Sequence, residues 1–228
     1  MRRIVAAAFV SLDGVMQAPG GPDEDPTGGF AHGGWAAAHW DDAIAAAQAE
    51  GFSAPFDLLL GRKTYDIFAA HWPYVEADPA ASTFDCLISD IARTFNAATK
   101  YVATHSPDTL SWENSRPLGS DVVSALRDLK KGDGPDLLVQ GSGVLVQTLL
   151  ANDLIDEFRL LVYPLVLGRG KRLFGDGTMP AAFRLTRSAT SPSGVLIVGY
   201  ERAGDVIAGS FAPETPSDSE IERRRSLA

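Results

Sequence analysis

The chain opens on an apolar run, Arg3–Val10, with no alternation between apolar and polar positions after its first residue. Such a run suits a strand covered on both faces of a sheet. Asp57–Gly61 and Asp136–Gln140 repeat the signature in shorter form, and Thr99–Thr104 predicts another strand. Between these runs the pattern becomes helical. Trp35–Glu50 is alanine-rich and predicts a helix that Gly51 can end. Lys63–Ala70 predicts a second helix, stopped before Pro73. Ser120–Lys131 predicts a third, with Ser120 as N-cap, apolar positions at Val122, Val123, Leu126 and Leu129, and Gly132 as its stop. Gly141-Ser142-Gly143 opens a fourth, Val144–Ala151. Ile155–Leu167 is strand-rich, and Arg184–Thr190 with Val195–Tyr200 predicts a hairpin around Ser193-Gly194. Strand–helix alternation closed by an antiparallel hairpin implies an α/β fold: a twisted, mostly parallel mixed sheet with flanking helices.

Two stretches break this rhythm. Gln17–Gly34 is rich in Gly, Pro and Asp and predicts a long loop, of the kind that is usually functional or mobile. From Ala212 the chain is rich in Pro, Ser and Glu and ends near Arg223-Arg224-Arg225, which predicts a disordered tail over 212–228. Neither an internal repeat nor a linker divides the rest, so 228 residues resolve into one domain, 1–211, plus that tail.

Charge narrows the partners. Twenty basic against 29 acidic residues leave a net −9, which disfavours a nucleic-acid partner or a polybasic membrane surface. The single cysteine, Cys86, can form no internal disulfide and no Cys-based structural zinc site, which fits a reducing compartment. The apolar N-terminal run is short and leads at once into Ser11-Leu12-Asp13-Gly14, so it reads as a strand rather than a signal peptide. No run reaches the ~18 apolar residues of a membrane span. A soluble, cytoplasmic protein is expected.

Three turns at the carboxyl ends of predicted strands are candidates for ligand binding. Gly61-Arg62-Lys63-Thr64 sets two cations and a hydroxyl at a helix N-terminus, where an anion is favoured; the same residues suit an ordinary solvated helix start. Gly141-Ser142-Gly143-Val144 suits either an anion-binding nest or a tight turn needing positive φ. It is neither a dinucleotide fingerprint nor a P-loop, and Gly168-Arg169-Gly170-Lys171-Arg172 is no P-loop either. Thr104-His105-Ser106 could hold a ribose or phosphate, or cap the turn before Pro107. Trp35, Trp40 and Trp72 suit a flat heterocycle or the core. The four histidines are scattered and no metal site is expected; Asp23, Glu24 and Asp25 read as a solvated loop.

In sequence order, these pieces make a recognisable whole. Ser11-Leu12-Asp13-Gly14 is followed by the segment Asp57-Leu58-Leu59-Leu60-Gly61-Arg62-Lys63-Thr64-Tyr65-Asp66. Phe68-Ala69-Ala70-His71-Trp72-Pro73, Val139-Gln140-Gly141-Ser142-Gly143, Leu154–Phe158 and Tyr163–Phe174 come after it in turn. Over about residues 2–211 the chain resembles the dihydrofolate reductase-like family, above all the C-terminal reductase domain of the bifunctional riboflavin biosynthesis deaminase–reductase. The resemblance implies a three-layer fold, NADPH as hydride donor, a small heterocyclic or ribosylamine-like substrate and a homodimer. It places Arg62, Lys63 and Thr64 at the 2′-phosphate and pyrophosphate, and Thr104 and His105 at the adenosine end. Gly61 belongs to the first of these turns. Gly141, Ser142, Gly143 and Val144 would press backbone against the pyrophosphate and nicotinamide ribose, and Ala8, Asp13 and Gly14 would edge the nicotinamide. The matching glycine pair often carries a cis peptide, here Gly141–Ser142. The loop from Val15 to Gly34 would cover the substrate like a lid. For the proton donor the expectation is Asp13, then Asp41 or Asp42. There is no His-x-Glu with Pro-Cys-x-x-Cys, the deaminase signature. A non-catalytic nucleotide- or pterin-binding protein on the same scaffold is the alternative reading.

Overall fold

The apolar runs become the middle of a sheet. The computed structural model describes residues 1–212 and 215–227. Its strands are β1 (Ile4–Ser11), β2 (Phe56–Gly61), β3 (Lys100–Ala103), β4 (Ser115–Pro117), β5 (Asp136–Gln140), β6 (Glu157–Tyr163), β7 (Phe183–Thr190) and β8 (Leu196–Arg202). They form one sheet in the order β4-β3-β2-β5-β1-β6-β8-β7. The first six in that order run parallel, β8 is antiparallel to β6, and β7 pairs with β8 as the expected hairpin. The mixed α/β sheet inferred from the alternation is therefore present.

The helices are α1 (Asp42–Gly51), α2 (Arg62–Ala69), α3 (Cys86–Ala97), α4 (Val122–Lys131), α5 (Gly143–Ala151) and α6 (Asp218–Arg225). One face of the sheet packs Ile4, Ala6 and Val10 of β1 with Leu126 of α4 and Leu145, Val146 and Leu149 of α5. The other face is covered by two separate clusters. One joins Leu58 and Leu60 to Tyr65, Ile91 and Phe95, under α2 and α3; the other joins Ile44 of α1 to Val15, Trp35, Leu161 and Tyr163. The two clusters do not merge, and a gap is left between them.

Several local expectations change. Trp35–Glu50 is not one helix: Ala37–His39 is a single 3-10 turn, Trp40 is extended, and α1 starts afresh at Asp42. Asp41 is the reason, since its carboxylate accepts the Ala43 and Ile44 N–H groups at 3.1 and 3.0 Å as an N-cap. In α4 the cap is Asp121 rather than Ser120, accepting the Ser124 N–H at 2.9 Å. Pro164 ends β6 well before Leu167, because it has no N–H for a ladder. Within the segment expected to be irregular, Asp218–Arg225 form α6, capped by Ser217 and without a buried residue. The peptide between Gly141 and Ser142 is trans; the corner is turned instead by positive φ at both, +87° and +64°. No helix among the described residues is long and apolar enough to cross a membrane.

Lys100 in β3 is fully buried, donating to the Asn96 carbonyl at 2.6 Å with its Nζ 4.3 Å from the Trp112 ring centroid. Burial lowers its pKa to about 8, with nearby Glu113 opposing. An unfolded lysine titrates near ~10.4. Below the folded value both states hold the proton and the burial penalty is fully present. As pH rises from about 8 towards the unfolded value, only the unfolded chain still binds the proton, so stability increases. Between pH 7.5 and 9.5, urea unfolding should show this protein gaining on the order of 2 kcal/mol relative to Lys100→Met, which keeps the apolar stem. Parallel pH profiles for the two would mean that Lys100 does not titrate in this window.

Candidate active site

Two turns meet because glycine permits it. β2 delivers Gly61 to the start of α2, and β5 delivers Gly141 and Ser142 to the start of α5. Ser142 Oγ accepts the Gly61 N–H at 2.9 Å and donates to Thr64 Oγ1 at 2.6 Å. A Cβ on Gly61 would lie 2.6 Å from Ser142 Oγ and 2.8 Å from its Cβ, so only glycine allows this approach. The result is two helix N-termini held side by side.

These two termini share another property. Four α-helices of the described chain are capped by side chains: Asp41 on α1, Asp85 on α3, Asp121 on α4 and Ser217 on α6. Neither α2 nor α5 has a side-chain cap. Their first N–H groups, at the positive end of each helix dipole, therefore receive no side-chain acceptor of the chain's own.

Both open onto a cleft of about 1180 Å³. That exceeds the ~300–1,000 Å³ typical of a single small ligand, leaving room for a large cofactor and a second molecule. One arm runs along the carboxyl ends of β2, β3 and β5 and is lined by Gly61–Thr64, Ala103–His105 and Gly141–Leu145. The other crosses the sheet between α1 and α2, in the gap between the two clusters, over Ala7, Phe9, Leu138 and Leu161. Its floor is a row of cross-strand neighbours: Gln140 beside Ala7, Ala7 beside Arg159, Arg159 beside Gly199, and Gly199 beside Arg187. Ala7 is the short side chain between Gln140 and Arg159, and Gly199 admits the close approach of strand β7, since a Cβ there would lie 3.1 Å from Thr186 Oγ1 and 3.3 Å from Arg187 Cβ. At about 4.8 Å per strand, Gln140 and Arg187 lie roughly 19 Å apart.

The cations expected at the first turn are there, in unequal states. Arg62 is tied by its Nε to Asp66 at 2.8 Å and by Nη1 to the Ser106 carbonyl at 3.3 Å and to Thr109 Oγ1. Lys63 is exposed, and its Nζ reaches only Thr27 Oγ1, at 3.4 Å. Lys171, Arg172, Arg159 and Arg187 also line the cleft, which the sequence pattern does not foretell. Together with Arg62 and Lys63 they outnumber the lining carboxylates Glu24, Asp25, Glu50 and Glu157, so this acidic protein is locally cationic here.

Of the sequence-predicted cofactor residues, Ala8, Gly61, Arg62, Lys63, Thr64, Thr104, His105, Gly141, Ser142, Gly143 and Val144 all line the cleft, whereas Gly14 does not. The three tryptophans stand behind its walls. Trp40 packs on Phe9 at 6.4 Å between ring centroids, Trp72 on Phe68 at 6.0 Å, and Trp35 edge-on to Tyr163 at 5.1 Å. Phe9 and Phe68, not the tryptophans, face the space.

The expected proton donors lie elsewhere too. Asp13 accepts from Ser11 Oγ at 2.6 Å and from the Leu167 and Gly168 N–H groups at 3.0 and 2.8 Å. These bonds lower its pKa to about 2 against a smaller effect of burial, so it is an ionised brace between β1 and the 167–168 turn. Asp41 is the α1 cap and also accepts the Ser193 N–H at 3.0 Å. Desolvation raises its pKa, but the N–H groups of Ser193 and Ile44 outweigh that and hold it at about 2. Asp42 is exposed in the first turn of α1. None of the three lines the cleft.

Two carboxylates read as solvated do line it, Glu24 and Asp25. Asp25 pairs with Lys171. Both ride on a loop that is fastened by the buried Gln17. Its Nε2 donates to the Asp25 and Thr27 carbonyls, each at 2.9 Å, its Oε1 accepts the Lys171 N–H at 3.0 Å, and its own carbonyl accepts Trp35 Nε1 at 2.8 Å. The loop expected to cover the substrate forms one wall of the cleft through Gln17, Ala18, Pro19, Glu24 and Asp25. Among the described residues no group of three or more His, Cys, Asp or Glu is gathered as a metal site.

Comparison with known proteins fits this arrangement. Residues 2–197 match the profile of the family described as RibD C-terminal domain. A relative, the uncharacterized protein YyaP of Bacillus subtilis, is 26% identical over 208 residues, which is 89% of this chain and 96% of that protein. Among solved structures, the deaminase/5-amino-6-(5-phosphoribosylamino)uracil reductase of Thermotoga maritima superposes with a TM-score of 0.54 at 16% identity, covering 89% of this chain and 57% of that one. Dihydrofolate reductase of Enterococcus faecalis, complexed with NADP(H), gives a TM-score of 0.51 at 13% identity, covering 88% and 96%. The dihydrofolate reductase-like fold expected from the motifs is present.

Gln17→Ala removes three of the bonds that fasten the wall. Hydrogen exchange of the 18–34 amides should then accelerate by at least about tenfold, with β1 and β5 unchanged. Unaltered protection in the loop would show that its apolar contacts suffice.

Proposed function

Because this chain belongs to the RibD C-terminal domain family, we propose that it is an NADPH-dependent reductase acting on a C=N or C=O group of a small heterocyclic or ribosylamine-like substrate. The observation that carries this reading is the pair of uncapped helix N-termini facing a cleft whose lining is cationic in a chain of net −9. An extended, multiply phosphorylated ligand complements that combination.

The residues suit the cofactor. Lys63, free of any carboxylate among the described residues, is the better placed cation for a 2′-phosphate, with Arg62 at the same turn held ready by Asp66. The N–H groups at the start of α2 and α5 suit the pyrophosphate, and Thr104 and His105 suit the adenosine end. When bound, NADPH supplies the hydride. The chain's contribution is positioning: Ala7 and Ala8 leave room over the sheet, and Phe9 and Phe68 give the substrate apolar walls.

NADPH titration followed by nicotinamide fluorescence and thermal stability tests this directly. Saturable binding with a raised melting temperature is expected, and no shift at millimolar NADPH would overturn the cofactor assignment. Lys63→Ala should weaken NADPH by about tenfold or more while changing NADH by less than about threefold, since a charge-assisted bond contributes ~1.5–3 kcal/mol. Equal losses for both would exclude 2′-phosphate recognition at this turn. NADPH that binds but is not oxidised with any of a panel of pterins, pyrimidines and quinones would favour a non-catalytic nucleotide-binding protein.

A further inference from the structure

The floor of the second arm ends in two arginines that lie away from the paired helix N-termini. Arg159 of β6 and Arg187 of β7 flank Gly199 in the cross-strand row, so no side chain of that row stands between them. Both reach the carboxyl end of α1 and meet consecutive residues there. Arg159 Nη1 donates to the Gly51 carbonyl at 3.2 Å, and Arg187 Nη2 pairs with Glu50 at 2.8 Å. The two guanidinium groups are thereby drawn to one place from strands two apart. Phe52, Ala54, Leu161 and Ile197 give this arm apolar lining.

The hydrogen-bonding capacity of the pair is only partly used. A guanidinium carries five N–H groups. Besides its bond to Gly51, Arg159 donates from Nε to Glu157 at 2.6 Å. Among the described residues, Arg159 Nη2 and Arg187 Nε and Nη1 donate to no protein atom. The two side chains are 40% and 43% accessible, and both line the cleft.

Charge decides what such a pair can hold. Arg3 shares Glu157 with Arg159 and shares Glu201 with Arg184. With the Arg187–Glu50 pair, four arginines at this end of the sheet meet three glutamates, and one positive charge is left over. A singly charged carboxylate balances it, whereas a phosphate monoester, at about −1.5 to −2 near pH 7, overshoots. The planar fork of a guanidinium also matches a carboxylate in shape.

We propose that Arg159 and Arg187 form a carboxylate subsite, and that the substrate of the proposed reductase is a heterocycle bearing a carboxylate on an arm that extends towards β7. The inference rests on the reductase reading and deepens it by naming the substrate class. The sheet sets the reach: Ala7, over which the ring would lie, and Gly199, between the arginines, are two strands apart, about 10 Å. The carboxylate therefore stands on the order of 10 Å from the bond that is reduced. A purely mechanical role, tying the carboxyl end of α1 to the sheet, would leave the same arginines indifferent to a ligand.

The test uses the full chain at low salt and three probes, benzoate, benzamide and phenyl phosphate, followed through the arginine Nε–Hε signals in ¹⁵N–¹H spectra. Benzoate should shift the Arg187 signal saturably in the millimolar range, phenyl phosphate should bind no more tightly, and benzamide should leave the signal in place. Arg187→Gln should weaken benzoate by at least about tenfold, read from the Arg159 signal, and Arg187→Lys by less. The melting temperature should stay within about 3 °C of the parent, since among the described residues Arg187 pairs only with the exposed Glu50. No saturable shift with benzoate, equal affinity in Arg187→Gln and the parent, or equal shifts with benzamide would overturn the subsite and leave the arginines as ties of α1. Phenyl phosphate binding about tenfold more tightly than benzoate would overturn the carboxylate class. None of these results depends on NADPH. Arginine-dependent benzoate binding in a chain that fails to bind NADPH would overturn the reductase reading alone, and NADPH binding with arginine-independent benzoate binding would overturn this inference alone.

Discussion

Ser142 Oγ accepts the Gly61 N–H and donates to Thr64 Oγ1, and these two bonds set how closely α2 and α5 approach. The end of the cleft onto which the two helix N-termini open depends on that spacing. It needs a residue without a Cβ at 61 and a left-handed residue at 142, where Ser142 has φ +64°. A non-glycine residue in that region is uncommon, and the hydroxyl's two bonds provide a compensating gain. The side chain most suited to cap α5 is thereby committed to joining two helices instead of serving one, and α5 is left without a side-chain cap.

The division of labour among carboxylates is equally physical. Asp13, which accepts the Ser11 hydroxyl and two N–H groups, and Asp41, which accepts three N–H groups, are strongly stabilised as anions and serve as braces. Those that meet cations, such as Glu157 between Arg3 and Arg159, neutralise the floor and rim. For Glu24 burial outweighs the two N–H groups that it meets, so its balance falls the other way. Residue type alone does not distinguish these cases; the number and polarity of neighbours does.

Much of the sheet was legible in the chain, because central parallel strands are buried on both faces and leave unbroken apolar runs: β1, β2 and β5 all lie within one or two residues of the predicted spans. The turns that line the cleft were legible for a related reason, since glycines and cations fell where those runs ended. β4 gave no signal, being three residues long, at the sheet edge and containing proline. α3 went unpredicted although Asp85 marks its cap and Leu87, Ile91 and Phe95 recur at helical spacing. The places of Glu24, Lys171 and Arg159 on the cleft wall could not be read locally, because each depends on contacts across more than a hundred residues or on a loop whose path is set by Gln17. The tryptophans misled in the opposite sense: large rings mark the neighbourhood of the cleft but support its smaller aromatic walls from behind.

The loop bearing Glu24 is fastened by two kinds of bond that respond to different variables. The Gln17 amide contacts are neutral and buried, so they are indifferent to ionic strength. The Lys171–Asp25 pair is partly exposed, with 43% of the lysine side chain accessible, and is open to screening by salt. Salt can thus loosen Lys171 from Asp25 while the Gln17 amide keeps its hold on the wall that carries Glu24. Charge availability and geometry are separately adjustable in this cleft, because an amide rather than an ion pair holds its shape.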